Sequence, residues 1–158
     1  MRPREVRGRT PRQRQGAGRR CSAEKSFSKP DGDAVDIRSV LTELSEAFNA
    51  HDLDRIMTFF SDDCILEMPR GNQPWGARFE GRRNVRAALA TRFDGLPDAH
   101  WGDARHFVTD DRGVSEWTFT GTLMDGTRVE VTGCDLFTFR NGEIAIKNSF
   151  RKNRPPVG

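Results

Sequence analysis

The sequence predicts an α+β fold, with helices first and a curved, mainly antiparallel sheet packed over them. Three observations carry that reading. Between residues 37 and 60 the apolar side chains recur at three- and four-residue steps, the period of a helix facing a core. From about residue 100 onward the pattern changes to alternation, the period of a strand with one buried face. The alternating runs are joined by Asp125-Gly126 and Asn141-Gly142, dipeptides that favour tight hairpins. Helices followed by an antiparallel meander make an α+β layout, with the helices on one face of the sheet.

Residues 1–32 are rich in Arg, Pro and Gly and almost devoid of apolar side chains, so they are expected to be a disordered tail. The folded domain is expected over residues 33–154, with a short tail at 155–158. Asp33 is placed to cap the first helix and Asp36 to favour its dipole. Ile37, Val40, Leu41, Leu44 and Phe48 form that helix's apolar stripe. His51-Asp52 interrupts it, and Leu53, Ile56, Met57 and Phe60 mark a shorter second helix. Cys64 to Glu67 reads as a strand stopped by Pro69, residues 70–80 as a loop, and Asn84 to Phe93 as a third helix carrying Val85, Ala88 and Leu89 on one side. Strands are expected at about 100–109, 114–123, 128–139 and 143–151.

Length and charge narrow the function classes. The 158 residues suit one domain with a real core. The net charge of +3 is unevenly spread, because residues 1–25 hold nine Lys/Arg against two Asp/Glu. The remainder carries 17 Lys/Arg against 21 Asp/Glu, a balance of 17 − 21 = −4, which argues against a nucleic-acid-binding body. The Arg-rich tail leaves open a nucleic-acid-touching arm, a transit-like segment or an extension with no folded role. Cys21, Cys64 and Cys134 show no metal-ligand spacing and read as reduced thiols of a cytoplasmic protein. No apolar run reaches the roughly 18 residues of a membrane span. No phosphate loop, metal cluster or nucleophile–histidine motif is present, so neither a cofactor nor a metal is expected.

Asp135 stands out. In the run from Val129 to Phe139, alternation places Val129, Val131, Gly133, Asp135, Phe137 and Phe139 on one face. A carboxylate on an apolar face is either hydrogen-bonded in place or held for chemistry, since burying it unpaired costs several kcal/mol.

Longer stretches resemble a known family. Ala47-Phe48-Asn49-Ala50-His51-Asp52-Leu53-Asp54, Phe59-Phe60-Ser61-Asp62-Asp63-Cys64 and Phe79-Glu80-Gly81-Arg82-Arg83-Asn84-Val85 are similar to the SnoaL-like branch of the nuclear-transport-factor-2-like superfamily. So are Gly133 to Phe139 and the following Asn141-Gly142-Glu143-Ile144. Over residues 34–152 the resemblance implies a cone-shaped barrel, its sheet wrapped around three N-terminal helices, with a pocket inside and dimerisation through the outer sheet face. Relatives include ketosteroid isomerase, polyketide cyclases, epoxide hydrolases, dehydratases and non-catalytic binding domains, so the fold alone names no reaction. The isomerase base falls on Met68 of Glu67-Met68-Pro69, its helix tyrosine near Leu44, and its hydrogen-bond-donating acid on Asp135. The epoxide hydrolase residues fall on Glu116, Thr118 and Ser149. Of the isomerase set, only Asp135 is retained.

Turn geometry suggests neighbours for Asp135. A two-residue Asp125-Gly126 loop sets Glu116 opposite Asp135 and Thr118 opposite Gly133. Two carboxylates so close would split their pKa values, giving an acid beside a base. For the last hairpin, a two-residue Asn141-Gly142 loop sets Asn148 opposite Asp135. A three-residue loop with a bulge sets Lys147 there and turns Ser149 the same way. Candidate catalytic residues are therefore Asp135 as acid or hydrogen-bond donor, Glu116 as base, and Lys147 or Ser149 to orient. Each has a structural alternative: an internal hydrogen bond for Asp135, solvent for Glu116, a salt bridge for Lys147. Met68, Thr118, Trp75, Val131 and Phe137 are the candidate substrate-binding residues, and His106 reads as a satisfied core histidine. The same register sends Trp117, Phe119, Leu136, Ile144, Ile146 and Phe150 outward as a homodimer interface. The expected activity is cofactor-independent acid/base chemistry, as in an isomerase, dehydratase or cyclase, on a small hydrophobic oxygen-bearing molecule. The rival is a non-catalytic ligand-binding or dimerisation module.

Overall fold

Asp36, rather than Asp33, caps the first helix: its carboxylate accepts from the Arg38 amide at 3.0 Å and from the Ser39 hydroxyl at 2.6 Å. The computed structural model describes residues 35–155, so Asp33, the Arg-rich segment and the last three residues lie outside it. Helix α1 spans Ile37–Asn49, α2 Leu53–Thr58 and α3 Arg82–Gly95. The strands are β1 Phe60–Glu67, β2 Arg78–Glu80, β3 His100–Val108, β4 Arg112–Thr122, β5 Arg128–Arg140 and β6 Glu143–Arg151.

The six strands form one sheet in the order β2-β1-β6-β5-β4-β3, with β1 and β6 parallel and every other pair antiparallel. The sheet curves around the helices as a cone but does not close, because β2 and β3 remain separate edges. Two details depart from the sequence reading. Strand β1 starts at Phe60, where the apolar spacing had continued the second helix. The 70–80 loop ends in β2, three residues that pair with β1 through Leu66 and Phe79.

Side chains from α1, α2, α3 and β1 fill the cone, with Leu41, Ile56, Phe60, Cys64, Leu66 and Val85 wholly buried. Burial of this set against Phe137, Phe139 and Ile144 of the sheet is the main stabilising term. A second cluster of Leu96, Ala99, Trp117, Phe119 and Val131 lies beyond it. Helix α1 is fastened to β3 by Asn49, whose amide donates to the Trp101 carbonyl at 3.0 Å and accepts from the Trp101 amide at 2.8 Å. This holds the Trp101 ring between Phe48 and Phe119. Among the described residues no helix is long and apolar enough to cross a membrane.

Candidate active site

Two hairpins decide which side chains enter the cone, and the first differs from expectation. The Gly126 amide donates to the Leu123 carbonyl and the Leu123 amide to the Thr127 carbonyl, both at 2.9 Å. Residues 124–126 therefore form a three-residue loop, with Gly126 at φ +85 as the bulge and Asp125 outside the positive-φ region that a two-residue turn requires. The Asp125 carboxylate favours this form by accepting from the Thr127 amide. One extra loop residue turns every β4 side chain over relative to the expected register.

Asp135 thus faces Ser115, and Glu116 pairs with Cys134. Glu116 points to the outer face, where its carboxylate meets Arg105 at 3.2 Å, so the expected acid–base pair with Asp135 does not form. Thr118 lies on that outer face too. Trp117 and Phe119, expected outside, are buried inside.

The last hairpin combines both alternatives. Asn141-Gly142 is a two-residue turn, with Arg140 opposite Glu143. The pairing then shifts between Thr138 and Phe139, so that Asp135 faces Ser149 and Phe137 faces Lys147. Lys147 and Ser149 both enter the cone, through a bulge in the strand rather than in the turn. Ile144, assigned outward, is wholly buried.

These registers assemble a buried polar cluster. Lys147 Nζ lies 2.7 Å from Asp135 Oδ1 and donates to Ser149 Oγ at 2.8 Å. Ser149 Oγ donates to Asp135 Oδ1 at 2.6 Å, and Trp117 Nε1 donates to Asp135 Oδ2 at 3.0 Å. Asp135 and Lys147 are both 6% exposed, which makes this a desolvated ion pair rather than a surface one. The Trp117 ring reaches Asp135 by lying across Gly133, where any Cβ would collide with it and with the Phe150 carbonyl. Burial pushes the Lys147 ammonium down from the usual lysine range; Asp135 opposes the shift and Arg92 adds to it. With three donors on its oxygens, Asp135 is held as an acceptor.

Two small cavities flank the cluster. One of about 20 Å³ is lined by Leu44, Phe48, Trp101, Ser115, Asp135 and Phe137 among others. The other, about 30 Å³, brings Asp135, Lys147 and Ser149 together with Met68, Arg92 and Arg151. Beyond Arg92 and Arg151 the cone opens into a cavity of about 210 Å³ and a groove of about 770 Å³.

The other candidates are dispersed. Met68 lines the inner cavity and the groove, and Phe137 the smaller cavity. Val131 lines the 210 Å³ cavity. Trp75 is 49% exposed on its loop and lines none of these spaces. His106 bonds the Ser115 hydroxyl at 2.9 Å, and burial lowers its pKa, which keeps it neutral. Among the described residues no three His, Cys, Asp or Glu side chains gather to hold a metal ion.

Sequence reasoning overlooked Trp117 as an inward donor, and it overlooked Arg92. The second was visible: with Val85, Ala88 and Leu89, Arg92 completes the i, i+3, i+4, i+7 stripe of α3 and so lies on its buried side.

Residues 41–146 match the family described as SnoaL-like domain. No curated protein is matched. Among solved structures, a candidate polyketide cyclase from Xanthomonas campestris pv. campestris superposes with a TM-score of 0.66 at 20% identity, covering 73% of this chain and 89% of its own. Bal32a, from a soil-derived mobile gene cassette, gives 0.68 at 18% identity over 77% of this chain and 93% of its own. TerC, co-crystallised with polyporic acid, gives 0.63 at 20% identity over 73% and 90%. At these identities the structural likeness establishes the fold.

Proposed function

This chain belongs to the SnoaL-like domain family, and from that premise we propose that it binds a small hydrophobic, oxygen-bearing molecule in its cone and performs cofactor-independent proton transfer on it. The observation that carries this reading is the Lys147–Ser149–Asp135 cluster, which borders a small cavity sharing Arg92 and Arg151 with the larger spaces outside it. Proton-transfer sites need a group whose pKa is moved towards neutrality, and burial moves Lys147 in that direction. The Lys147 ammonium would give its proton to a substrate oxygen, and the resulting amine would take one from the adjacent carbon. Asp135 would hold the compensating negative charge and Ser149 would orient both. Isomerisation, dehydration and cyclisation all use such a step, and the likeness to TerC, co-crystallised with polyporic acid, supports a small-molecule ligand.

The test is hydrogen–deuterium exchange in heavy water with a panel of hydrophobic ketones and phenolic aromatics, read by mass spectrometry. Wild-type protein should introduce deuterium beside the carbonyl of at least one compound. Lys147→Met should lose this, and Ser149→Ala should slow it by about 10²-fold or more. Ligand recovered bound but neither exchanged nor converted would leave a binding module. One feature favours that second reading: both Asp135 oxygens already accept from donors within the protein.

Some of the residues expected at a homodimer interface lie on the outer sheet face. Leu136, 43% exposed, and Phe150, 50% exposed, stand there with Phe107 and Ile146. This patch would join two copies of the chain, leaving the cone mouth of each open, in a reducing cytoplasm that suits its free Cys64 and Cys134.

A further inference from the structure

The arginines of this domain are mostly spoken for. Arg55, Arg78, Arg82, Arg86, Arg105, Arg112, Arg140 and Arg154 each meet a carboxylate. Among the described residues, Arg70, Arg83, Arg92, Arg128 and Arg151 make neither an ion pair nor a side-chain hydrogen bond, and three of them, Arg70, Arg92 and Arg151, line the same 210 Å³ cavity at the cone mouth. Arg92 and Arg151 also line the inner cavity beside Lys147 and Ser149. Arg92 is held in place by packing, its guanidinium 4.9 Å above the Phe119 ring.

We propose that Arg92 and Arg151, with Arg70 at the rim, form an anion subsite that holds the carboxylate of a hydrophobic acid whose body lies in the adjoining groove. Gathering unpaired guanidinium groups on a partly desolvated surface is unfavourable without an anion between them. Burial, with Arg151 and Arg70 close by, pulls the Arg92 pKa down to about 10 against the opposing effect of Asp135. The carboxylate lining the 210 Å³ cavity, Glu130, meets Arg154 at 3.8 Å and forms no ion pair with Arg70, Arg92 or Arg151. Apolar walls surround the charges: Leu96, Phe119, Leu123, Val129 and Val131 in the cavity, Met68, Pro69, Phe79 and Ala88 in the groove. Fork-shaped donors in an apolar frame select a planar carboxylate over a neutral amide of the same shape. An acid held on Arg92 would present its neighbouring atoms to the cavity shared with Lys147. The subsite thus deepens the reading of the cone as a small-molecule pocket by naming the ligand's charge.

Isothermal titration of the full chain with two matched pairs tests it: 2-naphthoate against 2-naphthamide, and decanoate against decanamide. At least one acid should bind about tenfold or more tightly than its amide at low salt. Arg92→Gln and Arg151→Gln should each abolish that preference, and Arg83→Gln, an exposed change at the start of α3, should leave it intact. Arg92→Lys, which keeps the charge and loses the fork, should fall between, and unchanged melting temperatures would exclude unfolding as the cause. Amides that bind as well as acids, absence of binding by both acids, or a preference that survives both glutamine changes would each overturn the subsite. Failure here is separable from failure of the catalytic reading. A protein that binds the acids without exchanging hydrogen keeps the subsite, and one that exchanges hydrogen only in neutral ketones, with no preference for acids, loses it.

Discussion

Asp135 and Lys147 make the most consequential contact at the residue scale, since neither can be removed without stranding the other. Losing one member of a buried ion pair costs about 3–5 kcal/mol, whereas replacing both with apolar groups is often neutral or stabilising. Asp135→Asn should therefore lower unfolding stability by about that amount in urea, and Asp135→Asn with Lys147→Met should recover most of it. Additive losses in the double variant would mean that the two side chains act independently. The same pair sets a pH dependence. Because the folded-state pKa of Lys147 is depressed, there is a window below the ordinary lysine range where the unfolded chain keeps a proton the folded chain has shed. Stability contributed by this group rises with pH across that window. Denaturation midpoints measured between neutral pH and the ordinary lysine pKa should include this rise in wild type, and Lys147→Met should remove it.

At the level of elements, the sequence specified the α1 stripe, the α3 stripe and the four long strands, because period and turn chemistry are local properties. The face presented by β4 was not legible. Asp125-Gly126 satisfies both a two-residue and a three-residue loop, and only the negative φ of Asp125 with the bulge at Gly126 chooses between them. That choice removed Glu116 from the site and brought Trp117 in. The β6 bulge was equally hidden, since no residue between Ile144 and Lys147 marks it. Asp135 was legible as an anomaly on an apolar face, but its partners depended on registers that span three strands. The α1–β3 attachment was hidden for a similar reason, as Asn49 and Trp101 are far apart in sequence. Its contribution is measurable: Asn49→Ala leaves a backbone N–H and a C=O of β3 unsatisfied and should cost about 1–3 kcal/mol in chemical denaturation. Asn49→Asp should cost less, because the carboxylate still accepts from the Trp101 amide.

For the molecule as a whole, the curvature of the sheet separates two surfaces with different tasks. The concave side is filled by helices except where the charged cluster and the arginine-lined cavity interrupt it. The convex side carries Phe107, Val114 and Leu136 on neighbouring strands in one row, with Phe150 and Ile146 beside it. Exposed aromatic and aliphatic residues in a contiguous patch favour association with a like surface, and a sheet face related by a two-fold axis is self-complementary. Sedimentation equilibrium at tens of micromolar should give twice the chain's 17.9 kDa. Leu136→Asp with Phe150→Asp should return the mass to one chain. Because both side chains point away from the cone, carboxylate binding at the mouth should survive that change. A wild-type mass of a single chain would sink the dimer, and a monomeric variant that also lost binding would show that the two surfaces are coupled through the sheet.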